Sequence, residues 1–290
     1  MLRNVAILIT CFNRKETTLK CLERLLIGEG GSVSLTVFLV DDGCTDGTAK
    51  AIGLDYPTVR IIQGTGSLFW NGGMRLAWLS ALEEGVFDYF LWVNDDSFIY
   101  SGAIVRIISA YESLVENGRT PGAVLGTMVD PESNKPTYGG RRNNSLINPL
   151  SFGPVLVPTD EPLACDFVNG NFTLIPSESV KRIGILSGEY THSMGDFDYG
   201  LRLKKSGLTC WVAPGVFGEC EVNAVVGGCK DAELSVAERV LKMQSISQLP
   251  PVDEWMYFVH KHGGYIWPLL WFKAWLRRVF PHIWVLLRSK

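Results

Sequence analysis

Four short, largely apolar runs constrain this chain most: VAILIT (5–10), LTVFLV (35–40), VRIIQ (59–63) and YFLWV (89–93). They lack the strict polar alternation of strands with one wet face, so they read as strands covered on both sides. Segments of helical period lie between them. Residues 14–26 place Leu19, Leu22, Leu25 and Leu26 on one face, 48–52 form a short helix, and 74–84 follow Gly72 and Gly73. Strand–helix alternation implies right-handed crossovers, hence an α/β, Rossmann-like, mostly parallel sheet with helices on both faces. A chain of 290 residues, 47% hydrophobic and 20% charged, is large enough to bury such a core.

In open sheets of this kind ligands bind beyond the carboxyl ends of the strands. Three polar segments follow predicted strands and should share that rim: Thr10-Cys11-Phe12-Asn13-Arg14, Asp41-Asp42-Gly43, and Asn94-Asp95-Asp96-Ser97. Asp95 and Asp96 repel each other and lose water at the end of an apolar strand. Two readings fit the pair: a hard cation, Mg²⁺ or Mn²⁺, bridging carboxylate to phosphate, or a turn whose Asp side chains cap the next helix. Asp42 reads either as an acceptor for a base N–H or ribose hydroxyl, or as part of an Asp-Gly turn. Phe12 offers a stacking face or ordinary core packing.

Further along, 103–115 is helical and 130–162 is a Pro-, Gly- and Asn-rich excursion. Residues 166–176 and 208–214 resume strand character. A helical, charged extension is expected from 230. The seven cysteines include no C-x-x-C pair, which argues against a zinc ribbon and for reduced thiols in the cytoplasm. After Glu254 there is no acidic residue, but there are six Lys/Arg and five of the nine Trp. Residues 263–290 contain no apolar run of the 18–20 residues that a span needs. Trp267, Trp271, Trp275 and Trp284 with cations between them suit a helix lying at a membrane interface; docking onto the catalytic part or a second subunit is the alternative. The acidic remainder of the chain argues against nucleic acid.

Neither a phosphate-binding G-x-x-x-x-G-K loop nor a G-x-S-x-G elbow is present. Four ordered motifs are: ILITCFNR, FLVDDGCTDGT, WVNDDS and GDFDYGLRLKKSG. Together they resemble the family 2 glycosyltransferases of the GT-A fold over roughly residues 4–220. SLFWNGGMR (67–75) resembles a sub-group assigned to bacterial surface-polysaccharide assembly, of O-antigen, capsule or rhamnan type. The resemblance implies a catalytic domain over 1–229, with a nucleotide-sugar half to about 100 and an acceptor half after it, and a C-terminal extension over 230–290.

By position, it also implies a donor site at Thr10, Phe12, Asn13, Arg14, Asp42, Asp95 and, more loosely, Arg75. Asp96 would be the metal ligand. Sugar or acceptor contacts would fall at Trp70, Asn71, Asn169 and Gly170. Asp196 would be the general base, with Asp198 its rival because Gly195 replaces the Glu of the E-D-x-D segment. The implied reaction is inverting, divalent-metal-dependent transfer from a nucleotide-diphospho-sugar, expected to be UDP- or dTDP-linked, to a saccharide hydroxyl on a lipid carrier. The implied place is the cytoplasmic face of the inner membrane. A sugar nucleotidyltransferase and a non-catalytic sugar-binding protein are the alternatives.

Overall fold

A computed structural model of the chain describes residues 2–27, 33–222, 228–231 and 233–287. The first half alternates as expected: β1 (Arg3–Cys11), α1 (Lys15–Leu26), β2 (Val33–Asp41), α2 (Thr48–Asp55), β3 (Arg60–Gln63), α3 (Phe69–Glu84) and β4 (Tyr89–Val93). Then come β5 (Phe98–Ile99), α4 (Ala103–Glu116), β6 (Pro121–Val129), β7 (Pro136–Tyr138), β8 (Arg141–Asn143), β9 (Phe152–Val155), β10 (Leu163–Cys165) and β11 (Phe172–Pro176). The chain continues through α5 (Ser177–Ile183), α6 (Gly195–Lys205) and β12 (Thr209–Glu219) into α7 (Val236–Lys242), α8 (Val252–His262), α9 (Trp267–Val279) and α10 (Pro281–Leu287).

The main sheet runs β10-β12-β6-β11-β4-β1-β2-β3, with β5 against β12 and β7 against β6. The β3-β2-β1-β4 part and the β6–β12 pair are parallel, whereas β11 is antiparallel to both its neighbours. Odd residues of β1 (Val5, Ile7, Ile9) face Leu22 and Leu25 of α1 and Ile104 and Ile107 of α4. Its even residues (Ala6, Leu8) face Met74 and Trp78 of α3 and Tyr199 and Leu203 of α6. Both faces are dry, which is why the strands show no polar alternation.

Three elements differ from the expected spans. α3 starts at Phe69 rather than 74 and runs through both glycines. A Cβ on Gly73 would collide with Thr10 at the end of β1, so the glycine that weakens a helix on propensity lets this one approach the sheet. The excursion at 130–162 carries β7, β8 and β9, the last two forming a small hairpin sheet. The helix expected over 230–241 is the shorter α7, opened by a Ser235–Glu238 capping box.

The C-terminal helices are stitched to the sheet-bearing part of the chain. Glu254 of α8 accepts hydrogen bonds from the Thr191 backbone N–H (3.1 Å) and hydroxyl (2.6 Å), and Lys205 Nζ reaches the Lys261 carbonyl at 2.6 Å. Among the described residues no helix is long and apolar enough to cross a membrane. Residues 288–290 of the aromatic tail, and 223–227 beside the expected domain boundary, lie outside the described residues.

Candidate active site

Register explains why distant polar segments meet. Thr10 pairs with Val40 and Cys11 with Asp41, while Leu8 pairs with Trp92. Thr10, Asp42 and Asn94 therefore leave the sheet at one level. Their side chains line a cleft of about 650 Å³, together with Phe12, Arg14, Asp95 and Asp96.

The question posed by the adjacent acids has a direct answer. Arg14 spans both carboxylates, Nη1 donating to Asp95 at 2.9 Å and Nη2 to Asp96 at 2.8 Å. Asp95 is buried, and burial pushes its carboxyl up to about 7 even though Arg14 acts in the opposite direction. Asp96 is more open and also accepts from the Cys220 thiol at 3.6 Å. Among the described residues no three His, Cys, Asp or Glu side chains converge as a metal cage. Two oxygen-rich carboxylates with solvent and phosphate oxygens still suit Mg²⁺ or Mn²⁺, which seldom take an all-protein cage.

Asp42 has a second task that its motif does not announce. Its Oδ1 accepts from the Gly66 N–H at 2.8 Å, and Oδ2 accepts from Leu68 at 2.9 Å and Phe69 at 3.0 Å. A carboxylate from β2's exit thus caps the N-terminus of α3, where the helix dipole favours an anion. It borders the cleft with three hydrogen-bonding directions already engaged. Asn13, at φ +51°, ties the turns after β1 and β2 together: its Oδ1 accepts from Thr45 N at 2.7 Å. Its side chain serves the turns and does not line the cleft.

The other flank of the cleft begins at Trp70. Its indole N–H donates to Asn94 Oδ1 at 2.7 Å, and its ring packs so closely on Gly170 that a Cβ there would overlap it. Gly170 N–H in turn donates to Asp196 Oδ2 at 3.2 Å, while Phe197 N–H donates to Oδ1 at 2.8 Å. Asp196 sits in the first turn of α6, partly buried. Burial pushes its carboxyl up to about 6, against the hydrogen bonds from Phe197, Gly170 and Asn169. Asp196, Asn169 and Gly170 do not themselves line the cleft; the acid pair is linked to Asp196 through Asn94, Trp70 and Gly170.

A family model described as glycosyltransferase like family 2 matches residues 3–240. The chain belongs to this family. Among solved structures, the mannosyltransferase from Pyrobaculum calidifontis in complex with GDP-Man and Mn²⁺ superposes on 100% of this chain and 73% of its own, with a TM-score of 0.55 and 14% identity. At that identity the likeness concerns the fold, which is GT-A. No curated protein matches the sequence significantly.

Within this glycosyltransferase the remaining expected positions divide cleanly. Asp198 is fully enclosed, with Oδ2 on Arg202 Nε (2.7 Å) and Oδ1 on Lys261 Nζ (2.8 Å), His262 Nε2 (2.8 Å) and Tyr190 hydroxyl (3.2 Å). Burial alone would raise its carboxyl, but His262, Lys261 and Arg202 outweigh it and hold the group well below the ordinary carboxylate range. It is a latch between α6 and α8, with no open face for an acceptor. Arg75 donates to the Leu186 carbonyl, away from the cleft lining. Asn71 is fully buried, its amide donating to the Ser187 and Tyr190 carbonyls at 2.9 and 2.5 Å, and a Cβ on Gly195 would collide with its Oδ1. The Gly at that motif position thus has a local cause.

Sequence reasoning missed Phe69, His192, Ser247 and Gln248, which also line the cleft. Phe69 and His192 adjoin motif residues and could have been found by that proximity. Nothing in the local sequence points to 247–248, which reach the cleft only through the docking of the extension.

Proposed function

We propose that this enzyme is an inverting glycosyltransferase that moves a sugar from a nucleotide-diphospho-sugar to a saccharide hydroxyl. The observation that carries the reading is Asp196: a carboxylate raised to about 6 and joined through Gly170 and Trp70 to a cleft lined by three further acids, Asp42, Asp95 and Asp96. A base titrating just below neutrality is ionised at working pH yet still takes a proton effectively.

Asp196 removes the proton of the attacking hydroxyl as its oxygen bonds to the anomeric carbon. The bond from that carbon to the phosphate oxygen breaks on the opposite face, and its electron pair leaves with the nucleoside diphosphate. Asp96, with Asp95, would hold Mg²⁺ or Mn²⁺, which when bound supplies charge neutralisation for the leaving diphosphate. Arg14, which pairs with both acids, would be released by a cation bound there and could then serve a phosphate oxygen. Thr10 and Phe12 form the nucleotide-side wall.

The test is transfer and donor hydrolysis over UDP-, dTDP- and GDP-linked sugars with Mn²⁺ or Mg²⁺. Guanosine belongs in the panel because the structural neighbour carries GDP-Man. Turnover that needs the metal and disappears in Asp96→Ala supports the assignment. Cation-independent turnover in that variant overturns it.

The membrane reading has its own support. Leu269, Phe272, Trp275 and Val279 of α9, Phe280 at the junction and Ile283 of α10 are exposed, together with Lys273 and with Arg278, which also pairs with Asp253, while Ala274 and Arg277 face the protein. An apolar face with cations fits an anionic bilayer surface, as a lipid-linked acceptor in bacterial surface-polysaccharide assembly would require at the cytoplasmic face. Because α8 braces α6, the test uses the full chain. Phe272→Ser with Lys273→Glu should abolish flotation on vesicles containing anionic lipid, and unchanged flotation removes this proposal.

A further inference from the structure

One stretch of the cleft wall is built from side chains to which the motifs assign no role. Phe69 opens α3 at φ +53°, in the left-handed region that non-glycine residues avoid. Such a conformation persists only where its surroundings impose it, and it concentrates at functional sites. Here the imposition is visible: the Phe69 backbone N–H is pinned to Asp42 Oδ2. The consequence is a ring held on the cleft wall, 38% exposed, where a buried position would be the ordinary choice.

His192 stands against it, with ring centroids 6.1 Å apart and planes at 68°. Its Nδ1 is buried without a hydrogen-bond partner among the described residues, and the residue lines the cleft. The backbone beneath it is fixed from two sides. Thr191 donates through its N–H and hydroxyl to Glu254, and its carbonyl accepts from Asn71 N–H at 3.1 Å. Burial moves the imidazole below its ordinary value, against the pull of Glu254, so it is neutral near pH 7 and able both to donate and to accept.

The position of this wall matters. Trp70 is the neighbour of Phe69 and links Asn94, beside the acid pair, to Gly170 and hence to Asp196. In a direct displacement the transferred sugar must lie between the leaving diphosphate and the base. A pyranose presents a C–H face and a rim of hydroxyls, and an aromatic ring beside a neutral imidazole complements both.

We infer that Phe69 and His192 form the seat of the transferred sugar, Phe69 stacking on its C–H face and His192 hydrogen-bonding one of its hydroxyls. This rests on the donor assignment above, and the experiment separates the two. Calorimetry with Mn²⁺ present compares UDP, dTDP and GDP with their hexose conjugates, on the full chain and on Phe69→Leu, Phe69→Gly and His192→Gln.

The expected result is nucleoside diphosphate affinity within about twofold of wild type in every variant, since the inference sets both side chains against the sugar rather than the base or phosphates. Affinity for the matching nucleotide sugar should fall by about 3- to 10-fold in Phe69→Leu and by about 2- to 12-fold in His192→Gln. Phe69→Gly removes the ring while relieving the positive φ, so a weakened sugar nucleotide with an unchanged or raised melting temperature excludes misfolding as the cause. Equal losses for diphosphate and sugar nucleotide would make this a nucleotide wall and overturn the inference, as would no loss at all. If the wild-type chain bound none of the panel, the donor assignment itself would fall, and the inference with it.

Discussion

Exchanging one carboxyl for an amide at Asp196 and at Asp198, two positions apart on α6, should produce opposite defects. Asp196 accepts from the Gly170 and Phe197 N–H groups but pairs with no buried cation, so it carries the lighter structural burden of the two. Its carboxyl is raised from the ordinary 3.8 to about 6, so its ionisation at pH 7 opposes folding, and Asp196→Asn should leave the melting temperature unchanged or slightly higher. Its loss as a base should lower the transfer rate by about 10²- to 10⁴-fold. Asp198 is the reverse case. It is enclosed among Arg202, Lys261, His262 and Tyr190, and breaking such a cluster leaves buried cations without an anion, typically at about 3–5 kcal/mol.

Lys261 and Arg202 keep partial access to water, with 28% and 17% of their side chains exposed, so the lower half of that range is expected for Asp198→Asn. At roughly 2–4 °C per kcal/mol for a chain of this size, that is a fall of about 6–16 °C. Differential scanning calorimetry and a transfer assay at 15 °C, run on both variants, read the two effects separately. If Asp198→Asn melts like wild type and loses turnover while Asp196→Asn keeps it, the assignment of base and latch is inverted and the reasoning from burial fails.

The pH dependence follows from the same groups. Activity requires Asp196 as the carboxylate, so kcat/KM should rise with pH and reach half its plateau near 6, and a flat profile between pH 5 and 7 would contradict the base. Asp198 is held below its unfolded value, so its stabilisation is present above about pH 4 and lost as the solution is acidified through and below that value, which an acid-unfolding curve shifted in Asp198→Asn would show. Arg14→Ala should leave Asp95 and Asp96 facing each other unpaired, lowering the melting temperature by a few degrees without metal and enlarging the rise on adding Mn²⁺; equal metal responses would mean Arg14 does not compete for that site. Gly195→Ala drives a methyl group into Asn71 and should cost about 1–3 kcal/mol, much of it recovered in the Asn71→Ala background, with denaturant melts as the measurement.

The strand order of the first half was legible because strands dry on both faces leave unmistakable runs, and the rim followed from topology. What could not be read was how distant groups share work. The start of α3 at Phe69 depends on Asp42, whose carboxylate arrives from β2 and caps it; a local pattern sees only two glycines and places the start after them. Asp196 and Asp198 are equivalent in a motif, and only the docking of α8, which brings Lys261 and His262 onto one of them, separates their environments. Arg75 looked suited to a phosphate, yet it lies one helical turn beyond Asn71 and serves the Leu186 carbonyl instead. Ser247 and Gln248 carry no recognisable signal because their meaning is purely positional.

The Asp198 latch also bears on how the molecule comes into being. Its partner His262 lies 64 positions downstream, a stretch that takes roughly 3–13 s to synthesise. Through that interval the segment bearing the base exists with a buried anion only partly neutralised and without Glu254 under Thr191. A nascent or prematurely ended chain would accordingly be able to form its nucleotide half while remaining unable to transfer sugar, so competence arrives late and all at once.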